Sequence, residues 1–196
     1  MTKIETYQKY ETLFLNLKLI ISESERRVIS NQPDELFLEN VNFFVKSYLI
    51  SICSYLEAML QDFAFIQAQE INSRLLNAKI PNNFMLWRAA DNIKDKDKRW
   101  GYKTCNLFIS KKEISNNISA NPYRTLKLFN KLGINLNLND TFESNKDLVN
   151  TIVEKRNSII HHNDRAASVS FGDLGDYIDV ILIYSKAIVS SLETEI

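Results

Sequence analysis

Residues 34–78 read DELFLENVNFFVKSYLISICSYLEAMLQDFAFIQAQEINSRLLNA, a run with no glycine and no proline. With neither chain breaker present, the run predicts one very long helix, kinked at most. Val41, Phe44, Tyr48, Ile52, Tyr55, Met59, Phe63 and Ile66 recur at three- and four-residue intervals. Leu49, Cys53, Leu56 and Leu60 add a second apolar row. A helix apolar over so wide an arc is packed on more than one side, so this stretch is expected to be the central spine of an all-α bundle. Glu57 stands among Cys53, Leu56, Leu60 and Ala64. If buried, its carboxylate needs a partner or a raised pKa; the alternative is an edge carboxylate that reaches solvent.

The rest of the chain is read outward from this spine. Residues 3–29 form a helix on Ile4, Tyr7, Leu13, Phe14, Leu17, Ile21 and Val28. Asn31, Gln32 and Pro33 break it, and Asp34 is a fair N-cap for the spine. Beyond the spine, Pro81, Asn82 and Asn83 mark its end, and short helices are predicted over 84–92 and 109–118. Between them runs KDKDKRWGYK, residues 94–103. Basic residues interleaved with aromatics bind single-stranded RNA by phosphate contact and stacking, but two aspartates balance this run, so a solvated loop is preferred. Asn121 and Pro122 start a helix that Gly133 ends. Residues 134–142 look loop-like, Ser144 caps the next helix with help from Asp147, and 171–192 form the last helix. The expected architecture is an up-and-down helical bundle with one very long central helix. It forms a single domain over 1–196, with an inserted helical and loop region at about 81–142.

Composition narrows the function classes. The chain has 196 residues, formal net charge zero, four glycines, three prolines, two cysteines and two histidines. Zero net charge means that any nucleic-acid contact must use local patches. Cys53 and Cys105 make no disulfide framework, and two histidines with two separated cysteines offer no structural zinc pattern. No metal and no other cofactor is expected. Lys46 and Glu57 interrupt the most membrane-like run, 43–60, which argues against a span. The N-terminus lacks the apolar core of a signal peptide, so a cytoplasmic protein without membrane association is expected.

The second informative stretch is SNKDLVNTIVEKRNSIIHHND, residues 144–164. Leu148, Val149, Ile152, Val153, Ile159 and Ile160 fall in an arc of roughly 140° on an ideal helix. Arg156 lies near the middle of that arc. An arginine there must snorkel outward, find an acidic or phosphate partner, or face a cleft. Asn157 and His161 are four apart and share a neighbouring face. His161 and His162 close the helix, where cations are also favoured by its dipole. On the residues alone, a snorkelling arginine with capping histidines stays open beside a functional site.

The order Arg156, Asn157, three further residues and His161, near the end of a helix and followed by a last amphipathic helix, resembles the Arg-x4-His signature of the HEPN superfamily. Ser54, Tyr55, Leu56 and Glu57 on the spine are similar to the Ser-x-Leu-Glu stretch of several HEPN branches. The likeness is nearest to the RiboL-PSP-HEPN and MAE-type branches. It implies an all-helical fold and a metal-independent endoribonuclease that cleaves RNA by 2′-OH attack in a toxin or phage-defence role. A non-catalytic HEPN-like module that binds RNA or protein is the alternative. In the implied site His161 moves protons, Arg156 holds the developing phosphorane charge, and Asn157 steadies imidazole or phosphate. Glu57 and His162 are supporting residues, and Glu57 is expected to pair with Arg156. Positions 156 and 161 point about 140° apart on an ideal helix, so a homodimer with two motifs in one cleft is expected. An antitoxin or defence protein would be a further partner. HEPN toxins paired with nucleotidyltransferases commonly carry a tyrosine two residues after the histidine; here Asn163 stands in that place.

Overall fold

A computed structural model describes residues 1–89, 104–162 and 168–194, with the backbone alone described at 86–89, 161 and 162. The 94–103 run, the end of the helix expected over 84–92, and the side chains of His161 and His162 lie outside the described residues. Eight α-helices are described: α1 (Lys3–Ile29), α2 (Glu35–Glu39), α3 (Val41–Asn77), α4 (Asn82–Ala89), α5 (Lys111–Asn117), α6 (Pro122–Lys131), α7 (Asp140–His162) and α8 (Phe171–Thr194). A single 3-10 turn, Leu136–Leu138, joins α6 to α7.

Side-chain pairs give the direction of each helix. Lys3 Nζ meets Glu70 Oε2 at 2.7 Å, the Tyr10 hydroxyl donates to Asp62 Oδ2 at 2.9 Å, and Ser24 Oγ lies 2.7 Å from the Tyr48 hydroxyl. As the α1 number rises the α3 number falls, so the two run antiparallel. The same test pairs α1 with α8, through Lys3 Nζ to the Leu192 carbonyl at 3.1 Å and Lys18 to Asp179 at 2.6 Å. It also pairs α7 with α8, where Asn139 Nδ2 donates to the Ala187 carbonyl and Lys155 Nζ to the Tyr177 hydroxyl. Helices α1, α3, α7 and α8 therefore alternate up, down, up, down, the all-α bundle expected from the apolar patterning. Its core is built from Phe14, Leu49, Ile52, Leu56, Met59, Phe63, Phe142, Val149, Ile152, Ile178, Ile181, Tyr184 and Ile188. Helix α3 is long and apolar enough to cross a membrane, but it packs against α1, α5, α7 and α8 here.

Three local expectations need correction. The spine is not one helix from residue 34. Asp34 does cap a helix, accepting from the Leu36 amide at 3.1 Å, but α2 ends at Glu39. Asn40 leaves helical geometry, with φ −115° and ψ 22°, and its Nδ2 donates to the Leu36 carbonyl. Phe37 stacks on Phe44 across the break, centroids 4.5 Å apart. The motif helix does not start at Ser144 either. It starts at Asp140, because Asn139 Oδ1 accepts from the Phe142 amide at 3.1 Å while Asn139 Nδ2 reaches Ala187 and Ser191 of α8. Much of the segment read as loop over 134–142 is thereby the 3-10 turn and the first turn of α7. Finally, Leu148 and Ile160, both members of the expected apolar arc, are exposed, and so is Ile4 at the start of α1.

Asn139 thus caps one helix and ties it to another. Asn139→Ala is expected to destabilise the protein by about 1–2 kcal/mol, the usual cost of losing an N-cap with further hydrogen bonds. Urea denaturation should show a lower midpoint with an unchanged slope.

Candidate functional site

Helix α7 buries Val149, Ile152, Val153 and Ile159 against the bundle, and the spacing of those residues carries Arg156 inward with them. Opposite, α3 presents Cys53 and Glu57, one turn apart. Arg156 Nη2 lies 3.8 Å from Glu57 Oε2, with side-chain exposures of 19% and 33%. The two charges that each stood on an apolar arc in the sequence therefore face each other across the α3–α7 seam. The contact is an ion pair longer than a hydrogen bond. Gln61, one turn beyond Glu57, donates from Nε2 to Glu57 Oε1 at 3.4 Å, which leaves Oε2 turned to the arginine.

The pair does not saturate Arg156. Its Nε is buried and has no hydrogen-bond partner among the described residues, although the guanidinium also lies against the Cys53 thiol. A buried donor left unmade typically costs about 1–3 kcal/mol, and buried groups of this kind mark places where a ligand, ion or water belongs. Cys53 is no counter-charge. Burial pushes its thiol up to about 11, against the opposing pull of Arg156, so the thiol is protonated at neutral pH. Glu57 is the anion that the described residues bring to Arg156.

Asn157 is half-buried and makes no side-chain hydrogen bond among the described residues. Helix α7 continues through His161 and His162. The last turn therefore does not unwind to swing position 161 toward Arg156, and the two positions stay about 140° apart on the helix. The structure thus brings Glu57 and Arg156 together and sets Asn157 beside them. Positions 161 and 162 lie at the end of the same helix.

Two neighbours were missed in the sequence. Gln61 carries a weak local signal, since it stands four residues from Glu57 on the same helix. Lys155, next to Arg156, points the other way, toward α8. Its Nζ is 2.8 Å from the Tyr177 hydroxyl and 5.5 Å from that ring's centroid. Lys155 and Tyr177 belong to different helices, and no spacing rule would have joined them.

A search of curated proteins and a search of solved structures found no match. A family model described as RiboL-PSP-HEPN matches residues 5–194. That span takes in the long helix, the Arg156 helix, the last helix and the segment between them. The chain belongs to the RiboL-PSP-HEPN family.

Proposed function

We propose that this protein is an endoribonuclease that cleaves RNA without a metal, acting as a cytoplasmic homodimer in a toxin or phage-defence role. The observation that carries the reading is Arg156: a guanidinium held in the α3–α7 seam by Glu57, with a buried Nε still unpaired. Phosphate oxygens suit a guanidinium held in this way, since arginine offers them planar, paired donors.

In the proposed reaction the ribose 2′-hydroxyl loses its proton and its oxygen attacks the adjacent phosphorus. The P–O5′ bond breaks, leaving a 2′,3′-cyclic phosphate and a 5′-hydroxyl, and the proton passes to the departing 5′-oxygen. His161 moves the protons, as an imidazole that titrates near neutral pH can. Arg156 holds the extra negative charge on the pentacovalent phosphorus. Asn157 orients phosphate or imidazole. Two-fold pairing of motif helices would join one subunit's Arg156 to its partner's His161 side of the cleft, which one straight helix does not do alone.

A second reading is a non-catalytic module that binds RNA or a protein. What favours it is the inward placement of Arg156, whose side chain is 19% exposed and already paired. Incubating purified protein with labelled RNA and EDTA separates the two. Cleavage in EDTA supports the nuclease; intact RNA with retained binding supports the module.

Arg156→Ala and His161→Ala are each expected to lower the cleavage rate by ~10²–10⁴-fold, the usual effect of losing a positioned proton carrier or charge stabiliser. His162→Ala should be milder, and the reverse ranking of the two histidine variants would move the assignment by one residue.

Glu57→Ala should reduce cleavage more clearly than stability. A pair this long and this exposed contributes no more than about 1 kcal/mol to folding, whereas a released guanidinium is no longer aimed. Steady-state kinetics and denaturation on the same variant decide it.

Light scattering at micromolar concentration should give the mass of a dimer. A monomer at all concentrations would contradict the two-fold cleft.

A further inference from the structure

We infer that the exposed face of α6 is a track for single-stranded RNA, leading away from the Arg156 seam; this rests on the RNA-cleaving reading above. The chain as a whole is charge-balanced, yet residues 114–139 contain Arg124, Lys127 and Lys131 and no acid. On α6 these three fall within an arc of about 60° and span about 10 Å of rise. All three are exposed, while Pro122, Thr125, Leu128 and Phe129 are buried on the opposite side. None makes an ion pair among the described residues, and Lys131 has a single hydrogen bond, to Asn117 Oδ1 at 3.3 Å. The exposed side of α7 has the contrary sign, with Asp140, Glu143, Asp147 and Glu154. A polyanion on this part of the protein is therefore drawn to α6 and not to α7.

The placement of α6 sets this stripe beside the helix that carries Arg156. The helix packs on both α3 and α7. Asn121 Nδ2 donates to Asn150 Oδ1 at 2.9 Å, which sets the first turn of α6 beside the middle of α7. Arg156 follows Asn150 by six positions, about 9 Å along the axis, and points about 120° from it; Asn157 points within about 20° of Asn150, and Glu154, which accepts a hydrogen bond from Asn150, within about 40°. Tyr123 adds the second element of a single-strand site. The residue is 51% exposed, and its hydroxyl donates to Asp147 Oδ1 at 2.9 Å, which holds the ring in one orientation. An anchored aromatic at the site end of a basic stripe suits a base to stack on and phosphates to follow.

The test is fluorescence anisotropy with a labelled 2′-O-methyl oligouridine, which has no 2′-hydroxyl to attack, titrated at several salt concentrations. The triple variant Arg124→Ala/Lys127→Ala/Lys131→Ala should bind at least tenfold more weakly at low salt. Its slope of log affinity against log salt should be shallower by about 2, the value for three lost single-strand phosphate contacts. Tyr123→Ala should weaken binding roughly tenfold with the slope unchanged. These residues are exposed, so the fold should survive, and kcat at saturating RNA should hold while KM rises. Wild-type affinity and slope in the triple variant, with cleavage intact, would overturn the track and leave the nuclease reading standing. Equal or tighter binding of the fully paired duplex would also overturn it. Binding through α6 by a protein that cleaves nothing would support the track and sink the nuclease reading instead.

Discussion

An arginine at the centre of a helix's apolar arc must snorkel to water, face a cleft or meet an anion. Removing that charge from water without a partner costs far more than the apolar contacts around it return. Here Glu57 of α3 answers Arg156 of α7 at 3.8 Å, within a seam whose packing is set by the buried Val149, Ile152, Val153 and Ile159 of α7. The pair is looser than a bidentate bridge, and Nε is without a hydrogen-bond partner among the described residues. The arginine is thus held in direction but retains capacity for a further anion.

The rest of the bundle keeps that seam in place. Helix α1 braces α3 along its length through Glu70, Asp62 and Tyr48, and braces α8 through Leu192 and Asp179. Helix α8 in turn holds both ends of α7: Asn139 at the start by hydrogen bonds to Ala187 and Ser191, Lys155 near the end through Tyr177. Helices α5 and α6 are additions to this frame. Lys111 of α5 shares Asp62 with Tyr10, and Asn121 links α6 to α7.

Much of this was legible in the sequence for physical reasons that can be named. The limits of α1 follow from its apolar stripe and the Pro33 break, and Gly133 ends α6 with φ 82°, a conformation that other residues rarely adopt. The Glu57–Arg156 contact could be anticipated because each charge violated an apolar pattern, and one contact relieves both. The break at Asn40 was not legible, since no glycine or proline marks it; it depends on an aromatic stack and a side-chain bond back to Leu36. The cap of α7 lies five residues before the position that sequence suggests, because Ser144 and Asp147 imitate a cap, while the real cap, Asn139, is selected by its contacts with α8. The Lys155–Tyr177 contact and the docking of α6 on α7 through Asn121 and Asn150 are likewise products of packing between helices.

The measurement that bears most directly on this account is the NMR signal of the Arg156 Nε–Hε group during titration with non-cleavable 2′-O-methyl RNA. The account predicts that this resonance, assigned by its loss in Arg156→Lys, shifts as RNA saturates the protein, because a phosphate takes the donor left unpaired beside Glu57. If RNA binds and the Arg156 signal stays where it was, the guanidinium is a structural counter-ion to Glu57, and the site does not lie in the α3–α7 seam.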